Sequence, residues 1–296
     1  MSFANNGDVE LFYETFGDPS HPALLLINGL GSQCTNYRVE WCERFAAESF
    51  FVIRFDNRDV GLSTKFADFT PDVVGMRQAI ASGEPFDVPY TLDDMAADAI
   101  AVLDAEGVDR AHAMGLSMGG MIVQALAIQY PERLLSITSV MSATGEPGYG
   151  GGSEEARAQL GAPAPSERNA YIEYFLQRQR VIGSPACYDE ERLRPIAAEA
   201  FDRSFHPEGV GRQMMAISAS PSRDEGLRKV TIPALVMHGD KDPLVDISGG
   251  RHTADVIPGA TFVVMEGMGH DYPPQYWDRW VRLVTDHARA ATSAKA

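Results

Sequence analysis

The sequence predicts an α/β fold in which helices flank a mostly parallel central sheet. Short apolar runs such as Ala23–Ile27 and Ala111–Leu116 alternate with amphipathic stretches, a rhythm typical of repeated βαβ units. The rhythm stops between Thr144 and Ser222 and then resumes. A chain of 296 residues is long enough for one such domain with an inserted segment.

The first half of the chain contains most of the predicted strands. Val9–Phe16 alternates apolar with polar residues, whereas Phe50–Phe55 and Leu134–Met141 are short apolar runs of the kind found in buried strands. Between them, Thr91–Asp94 resembles a capping box that opens a helix. A second helix is predicted over Gly119–Tyr130, where Pro131 stops it.

The second half begins with a segment that contains no strand pattern. Gly145–Ser153 has the composition of a flexible linker, and helices are predicted over Arg168–Ile182 and Glu190–Ser204. The strand and helix rhythm then returns over Ala234–Met237, Ser248–Val256, Ala260–Met265 and Tyr276–Arg289. We therefore predict a core domain formed by residues 1–143 and 223–296, with residues 144–222 as a helical insertion.

The charge balance excludes several classes of partner. The chain has 25 basic and 41 acidic residues, a formal net charge of −16, which repels nucleic acid and anionic lipid. Its first residues have neither a basic region nor an apolar segment, and no run approaches the roughly 18 apolar residues of a membrane span. These features predict a cytoplasmic protein without stable membrane insertion. They do not determine the oligomeric state, and a homodimer is one possibility.

A G-x-S-x-G motif supplies the candidate nucleophile. The residues Gly115-Leu-Ser117-Met-Gly119 follow an apolar strand and precede an amphipathic helix. A nucleophile elbow needs this context, because its serine sits on a strained turn whose neighbouring positions must be small. We therefore expect Ser117 to be a nucleophile.

A serine hydroxyl needs a base, and His270 is the strongest candidate among seven histidines. It lies in a glycine-bracketed loop after the last predicted strand, at the sheet edge where open α/β sheets bind ligands. The base in turn needs an anionic partner, and Asp240 and Asp242 both follow the preceding strand. The order Ser, Asp, His along the chain fits the order expected with this elbow.

The oxyanion of an acyl-transfer reaction needs two preorganised donors. The amide after the nucleophile, that of Met118, is one. The other is expected from the loop after an early strand, where Asn28-Gly29-Leu30-Gly31 fits, and we choose the Leu30 amide.

These residues together resemble the α/β-hydrolase fold superfamily over nearly the whole chain. The segments NGLG, FDNRDVGLS (Phe55–Ser63), GLSMGG, HGDKDP and GMGH stand in the family's order. In that family the acid follows a glycine in a G-x-x-D pattern, and this resemblance selects Asp242 over Asp240. The likeness is greatest to small bacterial carboxylesterases, including the methylesterases that act on polyketide antibiotics such as aclacinomycins.

The sequence departs from the family pattern at two positions. Asn28 replaces the histidine with which the oxyanion loop usually begins, so we expect different hydrogen bonds within this loop. Asp59 stands where the D-x-R-G-x-G-x-S stretch normally has its first glycine. Aspartate tolerates some of the backbone angles that glycine adopts, so we expect a small local adjustment there.

The resemblance implies that residues 144–222 form a cap over the active site. Side chains from this cap, together with Gly29 in the oxyanion loop, are then expected to contact substrate. The candidates from the cap are Tyr171, Tyr174, Phe175, Met214 and Met215.

The predicted function is hydrolysis of small to medium carboxylic esters through an acyl-enzyme, with no metal and no organic cofactor. A lactonase and a cofactor-free haloperoxidase or perhydrolase would use the same triad. Outside enzymes, a catalytically silent receptor could retain these residues. A dinucleotide-binding protein is disfavoured, because Cys34 occupies the third glycine position of G-x-G-x-x-G.

Overall fold

The computed structural model describes residues 2–293, and one eight-stranded sheet runs through them. Its strands are β1 Ser2–Asn6, β2 Val9–Phe16, β3 Ala23–Ile27, β4 Phe51–Phe55, β5 Ala111–Leu116, β6 Leu134–Val140, β7 Ala234–Gly239 and β8 Thr261–Met265. They are ordered β1-β2-β4-β3-β5-β6-β7-β8. Strand β2 is antiparallel to both β1 and β4, and every other pair is parallel. The prediction of a mostly parallel sheet is confirmed.

Eleven α-helices accompany the sheet in the described part of the chain. They are α1 Val39–Ala47, α2 Val73–Ser82, α3 Leu92–Ala105, α4 Met118–Gln129, α5 Glu154–Gly161, α6 Arg168–Ile182, α7 Glu190–Arg203, α8 Pro207–Ala219, α9 Asp224–Leu227, α10 Ile247–Val256 and α11 Trp277–Ser293. The predicted capping box is present at the start of α3, where Thr91 and Asp94 bond to each other's backbone.

The core consists of two apolar layers, one on each face of the sheet. Strand β3 shows how the sequence supplies both, because alternate side chains of a strand point to opposite faces. Leu25 and Ile27 pack with α3 and α4, whereas Leu24 and Leu26 pack with α1 and α11. A strand covered on both faces is expected to be a continuous apolar run, which explains ALLLI.

Strand β1 is the element that the sequence analysis missed at the start of the chain. Its residues, Ser-Phe-Ala-Asn-Asn, show no apolar run, and only Ala4 is buried. The strand forms because its backbone pairs with β2 in antiparallel register from Ser2↔Tyr13 to Asn6↔Val9. It lies at the edge of the sheet, where polar residues are tolerated.

Residues 144–222 contain the four helices α5 to α8 and no strand. The insertion leaves the sheet after β6 and the chain returns through α9 to β7. Its division from the core, as predicted from the sequence, stays a prediction, and Met1 and residues 294–296 of the predicted core lie outside the described residues. Within residues 2–293, no helix combines the length and the apolar character needed to cross a bilayer.

His112 in β5 makes a testable contribution to stability. It is 2% exposed, and its Nδ1 lies 2.8 Å from Ser136 Oγ. Burial lowers the pKa of His112 to about 4, with His287 and Arg110 adding to the effect. The folded protein therefore holds this imidazole neutral where the unfolded chain, with a pKa near 6.5, already binds a proton.

Because the unfolded state binds more protons between these two pKa values, the free energy of unfolding should fall as the pH is lowered from about 6.5 toward about 4. We expect His112 to account for about 2–3 kcal/mol of that fall by pH 4.5. Urea unfolding of wild type and His112→Gln across this range measures it, since other titrating groups contribute equally to both proteins. Parallel curves for the two proteins would contradict the prediction.

Candidate active site

Ser117 lies on a sharp turn between β5 and α4, with φ of +55°. The two glycines of the motif are needed because other backbone comes too close for a side chain. A Cβ on Gly115 would lie 2.0 Å from the Gly119 carbonyl oxygen, and one on Gly119 would lie 2.1 Å from that of Ile27. The motif therefore lets β5, α4 and the end of β3 meet behind the serine.

The three side chains predicted as a triad lie in hydrogen-bond contact. His270 Nε2 is 2.9 Å from Ser117 Oγ, and His270 Nδ1 is 2.7 Å from Asp242 Oδ2. Ser117 directly follows β5, and Asp242 and His270 lie in the loops after the carboxyl ends of the parallel strands β7 and β8. The sheet topology thus brings together residues that are 153 and 28 positions apart along the chain.

Asp242 is held as a carboxylate in a buried position. Its Oδ1 accepts hydrogen bonds from the amides of Leu244 and Val245, each at 2.9 Å. Burial opposes ionisation, but His270 and His238 outweigh it, and the pKa of Asp242 lies well below its usual range. Asp240, the alternative at the level of the sequence, instead accepts from the Gly267 amide and makes no contact with His270.

The loop that carries His270 is supported by the helical insertion. The His270 amide donates to the Ile182 carbonyl at 2.7 Å, and the Gly269 amide donates to Ser184 Oγ at 2.9 Å. A Cβ on Gly269 would lie 2.4 Å from the Gly183 carbonyl carbon, so only glycine allows this approach. The end of α6 and the His270 loop are therefore one packed unit.

Leu30 and Met118, whose amides are the predicted oxyanion-hole donors, both line the cavity above Ser117. Neither donates a backbone hydrogen bond within the described residues, so both are free for a ligand oxygen. Asn28, which replaces the family's histidine, is fully buried and its side-chain amide has no partner among residues 2–293. The main-chain carbonyl of Asn28, in contrast, accepts a hydrogen bond from Asn57 Nδ2 at 3.0 Å.

Gln213 of α8 holds the oxyanion loop from the insertion side. It is fully buried, its Oε1 accepts from the Gly31 amide at 2.8 Å, and its Nε2 donates to the Arg58 carbonyl at 2.8 Å. Gly31 follows Leu30 directly, so this side chain fixes the loop beside the candidate donor. Sequence analysis gave no signal for it, because 182 residues separate Gln213 from Gly31.

We expect Gln213→Ala to lower kcat for an activated ester by about tenfold to a hundredfold, with a smaller change in KM. Loss of the side chain leaves the Gly31 amide and the Arg58 carbonyl unpaired and releases the loop that presents the Leu30 amide. Steady-state kinetics measures the split between kcat and KM. Met215→Leu, on the same helix, serves as the control, and equal kcat values for both variants would refute a positioning role.

A cavity of about 870 Å³ lies between the carboxyl edge of the sheet and the insertion. It contains Ser117 and His270 and most of the residues predicted to contact substrate. Those on its lining are Gly29, Tyr171, Tyr174, Phe175 and Met214. Met215 is the exception, because it is buried and does not line the cavity. One residue along a helix turns the side chain by about 100°, so Met214 and its neighbour face different ways.

Comparison with known proteins identifies the family of the fold. The profile of the alpha/beta hydrolase fold family matches residues 22–272. The chain belongs to the α/β-hydrolase fold family. The family that the motifs indicated is thus confirmed.

Two relatives and one solved structure illustrate the similarity. Rhodomycin D methylesterase DauP of Streptomyces sp. strain C5 is 33% identical, over 96% of this chain and 97% of that protein. The 3-oxoadipate enol-lactonase 2 of Acinetobacter baylyi is 29% identical, over 88% of this chain and 86% of that protein. The esterase RhEst1 of Rhodococcus sp. ECU1013 superimposes with a TM-score of 0.75 at 21% identity, over 99% and 98% of the two chains, and shows the fold alone.

Proposed function

We propose that this α/β-hydrolase cleaves carboxylic esters of small to medium size through an acyl-enzyme on Ser117. The observation that supports the proposal most strongly is the continuous contact from Ser117 Oγ through His270 to Asp242, at 2.9 and 2.7 Å. The similarity to a protein named as a methylesterase agrees with it. The insertion 144–222 is proposed as the cap, since the cavity is lined by residues of both the insertion and the core.

In the first half-reaction, Ser117 Oγ attacks the ester carbonyl carbon while His270 Nε2 takes the hydroxyl proton. Asp242 accepts from His270 Nδ1–H, which fixes the tautomer and stabilises the imidazolium. The Leu30 and Met118 amides donate to the developing oxyanion. The tetrahedral species then collapses, its C–O bond to the alcohol breaks, and His270 gives its proton to the leaving oxygen.

In the second half-reaction, water takes the place of the alcohol. His270 removes a proton from the water, whose oxygen attacks the acyl carbon of the Ser117 ester. Collapse of the second tetrahedral species releases the carboxylic acid, and His270 returns the proton to Ser117 Oγ. Every proton moves through one imidazole, so the cycle needs no second acid or base.

A lactonase is the second candidate, because a relative over most of the chain carries the name enol-lactonase. The same steps open a cyclic ester, with the leaving alcohol still attached to the acyl group. The two candidates therefore differ in the shape of substrate that the cavity admits. The cytoplasmic location and the homodimer considered from the sequence stay predictions.

Hydrolysis of p-nitrophenyl esters from acetyl to decanoyl, alongside δ-valerolactone, tests the proposal. We expect kcat/KM to rise from the acetyl to the hexanoyl ester, because a cavity of about 870 Å³ buries the longer chain. Opening of the lactone without turnover of any linear ester would favour the lactonase. Absence of turnover on every substrate would refute ester hydrolysis and favour a receptor.

A further inference from the structure

The cavity that contains Ser117 has an unusual charge for this chain. Five arginines line it. Arg38 pairs with Glu199 at 2.7 Å, and the other four lie on four different helices: Arg77 of α2, Arg157 of α5, Arg178 of α6 and Arg192 of α7. The chain as a whole carries a formal net charge of −16. A positively charged lining is therefore a local feature that the overall composition does not predict.

The guanidinium groups of these four arginines have no protein partner. Within residues 2–293, none of them donates a side-chain hydrogen bond or lies within 4.0 Å of a carboxylate. In the same part of the chain, Arg251 and Arg282 are the other arginines in this situation, and Arg251 stacks on Phe262. The unpartnered arginines are thus concentrated around one cavity.

Three of the four lie on or beside the junction between α5 and α6. Arg77 Nη2 lies 3.2 Å from the place that a Cβ on Gly161 would take, and Arg157 is one helical turn before Gly161 on the same face. Tyr174 Oη donates to the Ala162 carbonyl at 3.1 Å, which ties α6 to the end of α5. Arg178 follows Tyr174 by one turn of α6. Like charges gathered without a counter-ion repel, and an anion between them removes that repulsion.

The two acidic side chains on the described lining form no ion pair within 4.0 Å with these arginines. They are Glu208 and Asp271. Glu208 lies 3.8 Å from His206, and Asp271 accepts from Ser184 Oγ. Burial raises the pKa of Asp271, and the charge of Arg192 opposes that shift. Arg192 Nε is buried without a hydrogen-bond partner among the described residues.

We propose that the cavity selects esters that carry a carboxylate in addition to the ester group, and that Arg77, Arg157 and Arg178 bind this carboxylate. A planar guanidinium donates two parallel hydrogen bonds to a carboxylate, and such charged pairs are stronger than neutral ones. The inference rests on the proposed ester hydrolysis and specifies its substrate class. It assigns to the arginines a role in binding and none in the chemical steps.

A matched pair of substrates tests the proposal. The mono-p-nitrophenyl ester of adipic acid and p-nitrophenyl hexanoate have acyl chains of nearly equal length, and the first ends in a carboxylate. We expect kcat/KM to be at least about tenfold higher for the adipic ester at low ionic strength. The ratio should fall to within about threefold in Arg77→Gln/Arg157→Gln/Arg178→Gln, and also for wild type in about 0.5 M NaCl.

Arg282→Gln is the control variant, because Arg282 lies on α11 beside a separate shallow depression and also has no partner for its guanidinium. It should leave the ratio at the wild-type value. Circular dichroism confirms that each variant is folded. A tenfold preference that survives the triple substitution would show that other groups select the carboxylate, and would overturn the assignment.

A binding measurement separates this inference from the proposed function. Calorimetric titration of Ser117→Ala with adipate, and with hexane-1,6-diol as the neutral comparison, needs no turnover. We expect adipate to bind and the diol not to bind, and the triple substitution in this background to abolish adipate binding. If neither ester is hydrolysed but adipate binds in this way, the inference stands and ester hydrolysis fails. A substrate ratio near one without adipate binding would overturn the inference.

Discussion

Ser117→Ala should lower kcat for p-nitrophenyl hexanoate by about a millionfold. The variant removes the atom that forms the acyl-enzyme, and the 2.9 Å contact from His270 then has no hydroxyl proton to accept. The oxyanion amides and the cavity remain, so substrate should still bind. Initial rates at high enzyme concentration, with buffer alone subtracted, measure the loss.

Two controls make this result specific to the nucleophile. Ser82→Ala, an exposed position at the end of α2, should retain the wild-type rate. A fluorophosphonate probe should add its mass to wild type and Ser82→Ala but not to Ser117→Ala. If the Ser117→Ala protein keeps more than about a thousandth of wild-type kcat, another group performs the attack and the proposed mechanism is wrong.

Arg212→Met should lower the free energy of unfolding by about 3–5 kcal/mol. Arg212 is 1% exposed, and its Nε and Nη2 donate to the two carboxylate oxygens of Asp59 at 2.8 Å each. Asp59 is fully buried and also accepts from the Tyr90 hydroxyl at 2.6 Å. Removing the arginine leaves this carboxylate buried without its counter-charge. Urea unfolding followed by tryptophan fluorescence measures the change.

The exposed pair between Arg168 and Asp202 provides the comparison. Its two hydrogen bonds are equally short, at 2.7 Å, but both side chains are about half exposed to solvent. Arg168→Met should therefore cost less than about 1 kcal/mol. The double variant Asp59→Gly/Arg212→Met removes both buried charges and should be more stable than Arg212→Met alone. Equal losses for Arg212→Met and Arg168→Met would contradict the argument from burial.

Asp59 has the backbone conformation of the residue that it replaces. The family's D-x-R-G-x-G-x-S pattern has glycine at this position, and the backbone of Asp59 has φ of +71°, a value that favours glycine. Aspartate adopts it, as expected from its tolerance of left-handed angles. The adjustment is larger than a local one, because the carboxylate recruits Arg212 from a helix 153 positions away.

The parts of the fold that the sequence predicted are those fixed by local physics. Buried parallel strands need apolar runs, so Ala23–Ile27 and Ala111–Leu116 were placed to the residue. The G-x-S-x-G motif was informative because close backbone approach leaves no room for side chains beside Ser117. His270 could be chosen because functional loops in this kind of sheet follow the carboxyl ends of strands. Asp242 could be chosen over Asp240 only through the resemblance to the family's G-x-x-D pattern.

Contacts between distant segments could not be predicted in the same way. Gln213 is one amide among many on the sequence, and its importance depends on which loop α8 covers. The unpartnered arginines of the cavity are spread over four helices and are indistinguishable from solvated surface residues until those helices are packed. The placement of Met214 and Met215 likewise depended on the rotation of α8 about its axis. Each of these placements depends on how helices pack in the folded protein, which the periodicity of the sequence does not reveal.

The bond from the His270 amide to the Ile182 carbonyl has a consequence for protein engineering and for evolution. Recombination that exchanges the insertion between relatives also exchanges the residues that hold the His270 loop in place. A chimaera should therefore inherit residues 182–184 and 267–271 from the same parent. Crossovers placed at the outer ends of the insertion take these two segments from different parents. The His270 imidazole would then be misplaced in a chimaera that gained a new specificity. Diversification by point changes within α5 to α8 avoids that coupling.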